Sequence, residues 1–275
     1  FKALYDDGLV YKDVRPINWC THHQTSLSDL EVKYETQKDP LYYIKYGPFT
    51  LATVRPETKF GDTAVAVHPN DKRYKDYVGT EIEIETVLGK AKIKVIADEY
   101  VDQKFGTGVV KITPAHDPND FEVAKRHPEI FELKYAFDQY GRMTELAGPY
   151  AGMKTKEARE KIIEDMKKKG LIVKIDNNYS HSVAKCYKCG TIIEPRVMNQ
   201  WFVAVNKKGK SGKTLAKDAL KSVKNGKIKF IPKRYEKIYY HWMENIRDWN
   251  ISRQIVWGIR IPVWYCESNH KGRFC

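Results

Sequence analysis

The 275-residue sequence is poor in cysteine and has no long apolar run. Its five cysteines (Cys20, Cys186, Cys189, Cys266 and Cys275) are odd in number and scattered, which excludes a disulfide framework. With no secretory signal ahead of them they favour a reducing compartment, read here as cytoplasmic. No stretch approaches the ~20 apolar residues of a membrane span, so transmembrane classes drop out. The opening FKALYDDGLVYKDVRPINWC has an Asp6-Asp7 pair and no apolar segment of signal-peptide type. An initiator Met is also missing and the chain stops abruptly at Cys275, as expected of a fragment. Acidic residues are scarce beside basic ones: 35 Asp+Glu face 48 Lys+Arg, a formal charge of +13. Hydrophobic residues make up 42%, enough for the core of one large domain or two smaller ones.

The basic excess is concentrated. Lys207 to Arg234 holds eleven Lys/Arg and one acid, Asp218, so these 28 residues carry +10 of the +13. Such a stripe suits a phosphate backbone, because each neutralised phosphate releases counterions; the alternative is a solvated surface that keeps the chain soluble. Within it, GKSGKT imitates a phosphate-binding loop but fails the spacing. Ala204 and Lys207 stand where G-x4-G-K-[ST] requires glycine.

Periodicity predicts an α+β fold. Residues 1–35 read as a short helix, a knuckle around Cys20 and a strand with Leu30 and Val32. LYYIKYGPFTLATV, TAVAV (63–67), EIEIETV and AKIKVIA, turned at Leu88-Gly89, and GTGVVKIT (106–113) read as strands. Short strands with Gly/Pro punctuation suggest a barrel or strongly curved sheet. Helices are expected from Asp117-Pro118 to His127, from Thr155 to Lys169 with Ala158, Ile162 and Met166 on one face, and over 214–224. Five of the six Trp lie beyond 200, and the texture changes near 233. The domains expected are 1–35, a connecting segment with the first metal knuckle; 36–180, a β-barrel-like domain with peripheral helices; 181–234, a second knuckle and basic helical segment; and 235–275, a further partial domain.

Cys186-Tyr187-Lys188-Cys189-Gly190 is a C-x2-C knuckle with thiolate spacing for a tetrahedral metal. Cys20 and His23 offer a C-x2-H partner. Redox pairs share the C-x2-C spacing, but no thioredoxin-like βαβ pattern surrounds this one, so structural zinc in a zinc-ribbon-like segment is expected. Cys266 and Cys275 are candidates for a second, incomplete site. In FGTGVVKITPAHDPNDFE, Lys111 and Thr113 share a strand face. The strand feeds a helix start with Asp117 before Pro118 and Asp120 in the first turn. Those residues make a well-built N-terminus, or, with His116, a polar cluster at a barrel mouth. Arg55-Pro56-Glu57-Thr58 reads as a strand end with ordinary capping.

In order, ATVRPET…GDTAVAVHP, GTGVVKITPAHDPNDFEV, IIEPRVMNQWFV and RDWNISRQIVWGIRIPVWYC resemble the valyl-tRNA synthetases, class I aminoacyl-tRNA synthetases, over nearly the whole chain. The resemblance implies the editing domain inserted in the catalytic fold, with residues 1–20 and 236–265 leaving and re-entering that fold. It implies hydrolysis of threonine mischarged onto the valine tRNA, by positioned water. Threonine is nearly isosteric with valine, and an apolar pocket cannot strongly reject its hydroxyl, a limit for which valyl enzymes are a known example. By similarity Asp120 would hold the α-ammonium, and Lys111, Thr113 and Asp117 would surround the hydroxyl. Arg55 and Thr58 would line the opposite wall, Phe105 would pack on the terminal base or ribose, and His116 would have an orienting rather than a general-base role. Cys20, His23, Cys186 and Cys189 would hold zinc, although many relatives carry Cys where His23 stands. The family's HIGH and KMSKS signatures are absent, so ATP and valine belong to the intact enzyme. The partners implied are mischarged valine tRNA and the rest of the synthetase chain. The alternative is a non-catalytic, zinc-containing tRNA-binding fragment.

Overall fold

A computed structural model describes residues 1–265. The chain divides into two compact units: Pro16–Val197, and Phe1–Arg15 together with Met198–Cys275. In chain order the elements are α1 (Lys2–Asp6), β1 (Val10–Cys20), β2 (Thr25–Leu27), β3 (Val32–Lys38), β4 (Leu41–Tyr46), β5 (Phe49–Thr53), β6 (Ala64–Val67), β7 (Glu81–Thr86), β8 (Gly89–Ala97), β9 (Val109–Ile112), α2 (Pro118–Arg126), α3 (Thr155–Lys168), β10 (Ile172–Asp176), β11 (Ser180–Cys186), β12 (Glu194–Val203), α4 (Leu215–Lys224), α5 (Tyr235–Glu244) and β13 (Trp249–Asn250).

The larger unit is built on two sheets, ordered β7-β8-β6-β9 and β10-β4-β5. β7 shows why: in EIEIET, Ile82 and Ile84 are buried and the glutamates face out, the period-2 pattern of a half-buried strand. β6 is different. It lies between β8, parallel, and β9, antiparallel, and all four of its residues are buried. Val65 and Val67 enter the main core with Ile44, Tyr46 and Leu51 of the facing sheet and with Ala158, Ile162 and Met166 of α3. Ala64 and Ala66 turn the other way, and their small side chains let Val123 and Ala124 of α2 pack closely on that face. This contact sets the N-terminus of α2 beside the end of β9.

β5 runs alongside β9 and β4 alongside β7, yet their ladders belong to separate sheets. The expected β-barrel-like closure is therefore corrected: among the described residues the architecture is mixed α and β with several sheets and no closed barrel. Leu30 is a second correction. It is 79% exposed in a 3-10 turn, Asp29–Glu31, because Ser28 and Glu31 form a reciprocal capping box that stops strand formation there.

A satellite cluster of Cys20, Leu27, Val32, Cys186 and Ile193 forms where β3 pairs with β11. In the other unit, β12 pairs with β13, and Val10, Trp201, Val203 and Val205 form a small core. Tyr11 donates to Asp248 Oδ2 (2.5 Å) and the Val205 amide to Asp248 Oδ1 (3.2 Å), fixing that carboxylate. All eleven cations between 207 and 234 are exposed, on α4 and its flanking loops. Of these, only Lys224 has an ion-pair partner among the described residues, Glu244 at 4.0 Å.

Candidate functional site

The end of β9 and the start of α2 bring Lys111, Thr113 and Asp120 together. Lys111 Nζ donates to Thr113 Oγ1 (2.5 Å), and Thr113 Oγ1 donates to Asp62 Oδ1 (2.7 Å). The Thr113 amide donates to Asp120 Oδ2 (2.8 Å). Asp62 was not anticipated from the sequence. It ends the 3-10 turn Pro56–Gly61, and its other oxygen accepts from Tyr46 OH (2.7 Å). Lys111 and Lys59 lie 3.6 and 3.9 Å from its two oxygens. Gly61 permits this approach: a Cβ there would sit 2.5 Å from the Lys134 carbonyl and 3.1 Å from Thr113 Cγ2.

Electrostatics mark the cluster as costly. Burial, then the Asp117 carboxylate, pushes the Asp120 pKa up to about 7. Burial drives Lys59 down to about 7, against the pull of Asp62. Its amine lies 3.5 Å over the Tyr46 ring, has no hydrogen bond and is fully buried. Asp117 caps α2, accepting from the Asn119 amide (2.7 Å) and the Asp120 amide (3.2 Å). His116 is 3% exposed, and its ring lies 4.0 Å from that of Phe137 at a tilt of 31°. Its Nε2 accepts from the Ala136 amide (2.7 Å), which leaves the proton on Nδ1, an atom without a partner. Burial and the cations Arg55, Lys111 and Arg196 lower its pKa to about 2.

The remaining candidates make other contacts. Arg55 pairs with Glu194 and Glu57 and lies over the Phe137 ring. Glu57, wholly buried, also takes two bonds from Arg159, both 2.8 Å. Burial raises the Glu57 pKa, but Arg55 and Arg159 outweigh it and leave it below the usual value. Thr58 donates its hydroxyl to the Arg55 carbonyl (2.9 Å) within the turn. Phe105 is half-exposed on the loop before β9, against Tyr179.

Cys20, His23, Cys186 and Cys189 converge with all donor atoms within 4.8 Å of one another. Cys20 Sγ is 3.5 Å from His23 Nδ1 and 3.6 Å from Cys189 Sγ, and Cys186 Sγ is 3.8 Å from His23 Nδ1. A tetrahedral ion with metal–sulfur bonds of 2.3 Å and metal–nitrogen bonds near 2.05 Å requires about 3.8 Å between sulfurs and about 3.6 Å from sulfur to nitrogen. The donor set fits a metal ion. The suggested second site at Cys266 and Cys275 lies outside the described residues.

A family model for tRNA synthetases class I (I, L, M and V) matches residues 1–273. The chain belongs to this family. Among curated relatives, the valine–tRNA ligase of Carboxydothermus hydrogenoformans is 51% identical over 276 residues, 98% of this chain and 30% of the relative. That of Thermotoga maritima is 50% identical over 275 residues, again 98% and 30%, and that of Clostridium tetani 48% over 275 residues, with the same shares. The chain thus spans about 30% of the length of these curated synthetases. Among the described residues of this class I synthetase chain, no helix is long and apolar enough to cross a membrane.

Proposed function

We propose that this chain is the editing module of a valine-specific class I synthetase and hydrolyses threonine from mischarged valine tRNA. The observation that carries the reading is the buried cluster of Lys111, Thr113, Asp62 and Asp120 at the β9–α2 junction. A site meant to admit threonine and refuse valine needs buried polar groups that valine leaves unpaired. Lys111 spends one N–H on Thr113 and keeps others for the substrate. Asp120, costly to ionise alone, regains its charge when an α-ammonium arrives beside it. Asp117 borders the same pocket, while Arg55 and Thr58 supply its opposite wall as ordered backbone and charge.

The reaction is attack of a water oxygen on the ester carbonyl carbon, breakage of its bond to the ribose oxygen, and release of threonine and the free tRNA hydroxyl. The ester is already activated, so positioning the water and stabilising the oxyanion carry the catalysis. His116 orients rather than abstracts a proton, since its Nε2 lone pair is already occupied. The Cys20/His23/Cys186/Cys189 centre is assigned structural zinc, tying the loop after β1 to the knuckle after β11. Ligation of valine with ATP belongs to the intact cytoplasmic enzyme.

The test is deacylation of threonyl- and valyl-tRNA, both on the valine tRNA, by wild type and Asp120→Ala. Threonine lost, valine spared, and the variant dead while still binding tRNA is the expected result. Equal loss of both esters refutes the specificity argument. The eleven exposed cations favour a second reading, a tRNA-binding fragment without catalysis. That reading predicts that neither ester is lost, while replacing several of Lys207–Arg234 weakens binding and flattens its salt dependence.

A further inference from the structure

We infer that Tyr179 and His181, continuing from Phe105, form a stacking surface for an unpaired nucleobase of the RNA strand whose end carries the ester. The inference rests on the editing reading and extends it beyond the terminal nucleoside. Tyr179 and His181 are two residues apart at the start of β11 and share a face, and their rings lie 5.6 Å apart at 23°. Phe105 meets Tyr179 at 6.2 Å and 63°. Partly exposed aromatic rings of this kind give every base a π-face without sequence preference.

The rings are held in place. His181 Nε2 lies 2.7 Å from Asp39 Oδ2, and Gln37 Nε2 donates to both oxygens of Asp39 (3.1 Å each). The Asp39 amide donates to the Tyr179 carbonyl (3.0 Å). The Phe105 loop is pinned by the Thr107 hydroxyl on the Thr50 carbonyl and by Tyr74 OH on the Thr107 carbonyl (3.0 Å). Gly106, at φ +60°, brings the loop so close to β5 that a Cβ would lie 3.1 Å from Ala52 Cβ. A phenylalanine 47% exposed on so fixed a loop gains little for folding. Lys104 precedes Phe105 in the chain and Lys38 pairs with Ser180, between Tyr179 and His181, in the β3–β11 ladder; both are exposed, without an ion-pair partner among the described residues, and offer charge for phosphates.

The experiment compares two substrates with the same ester: threonyl-tRNA on the valine tRNA, and 3′-O-threonyl-adenosine, which has no upstream base. Tyr179→Leu should raise KM for the charged tRNA about 5- to 100-fold with kcat nearly unchanged, and should leave threonyl-adenosine hydrolysis at the wild-type rate. Tyr179→Phe should restore the wild-type KM. An unchanged KM for the tRNA, or equal damage on both substrates, overturns the inference. If wild type hydrolyses neither substrate, the editing reading has failed by itself. A short single-stranded RNA with 2-aminopurine next to its terminal adenosine then decides separately. Quenching by wild type that is lost in Tyr179→Leu upholds the surface, and no quenching by wild type overturns it.

Discussion

Replacing Asp120 by Asn should make the protein more stable above about pH 4, with a gain that grows through the acid range and is complete near pH 7. A carboxyl moved from 3.8 to about 7 carries a penalty on its ionised form of about 4 kcal/mol. The sign follows from proton counts. Between about pH 4 and 7 the unfolded chain has lost this proton while the folded chain keeps it, so stability falls as pH rises through that window. Above pH 7 both states are ionised and the full penalty remains. Asn carries no charge, and its carbonyl oxygen can still accept from the Thr113 amide, now at 2.8 Å from the carboxylate. Its amide also faces Asp117 without repulsion. Urea denaturation should therefore show Asp120→Asn about equal to wild type at pH 4 and more stable by roughly 2–4 kcal/mol at pH 8. The same variant should lose threonyl-tRNA deacylation. A variant no more stable than wild type at pH 8, or a difference that does not change with pH, would refute the electrostatic account of Asp120.

Three further outcomes are expected. Arg159→Met leaves the wholly buried Glu57 with Arg55 alone, and should cost about 3–5 kcal/mol in urea titrations at pH 7. Because the Glu57 pKa is lowered in the fold, that stabilisation is present above its unfolded pKa and fades in acid, so the gap should narrow as pH falls. Metal analysis should find one zinc per chain, removed by chelator with a fall in thermal midpoint; Cys186→Ser should lose the metal, and a full metal content in that variant would contradict the ligand set. Gly61→Ala should destabilise by about 1–3 kcal/mol by forcing the turn away from Lys134 and Thr113, with deacylation lost more steeply than stability.

Local pattern made part of this chain legible. Asp117 before Pro118 gave the start of α2, alternation gave β7 and β8, although their turn is Val87-Leu88 rather than Leu88-Gly89 because Gly89 already pairs with Thr86, and a one-sided apolar face gave α3. The strands β1 and β12 were harder, because Pro16 and the mixed texture of EPRVMNQWFV hide their period. The C-x2-H and C-x2-C spacings named the four donors that converge, since metal ligation needs few residues at fixed offsets. Asp62 had no such signal. It sits in GDTAVAV like any strand-leading aspartate, and its partner Thr113 is 51 positions away, joined to it only by the β6–β9 ladder.

Asp117 shows why a helix start and a reactive site are not competing readings of the same residues. Its Oδ1 satisfies two otherwise unpaired amides of α2, which a capping residue must do. Having done so, its negative charge is fixed beside Asp120, inside the first turn, where burial has already removed the solvent that would screen it. A cap that orders the helix therefore also raises the cost of the neighbouring carboxylate. An isolated carboxylate in this place would be an unfavourable element of the fold. On the editing reading proposed above, a substrate ammonium would turn it into a binding group whose strength comes from the same burial and the same neighbour.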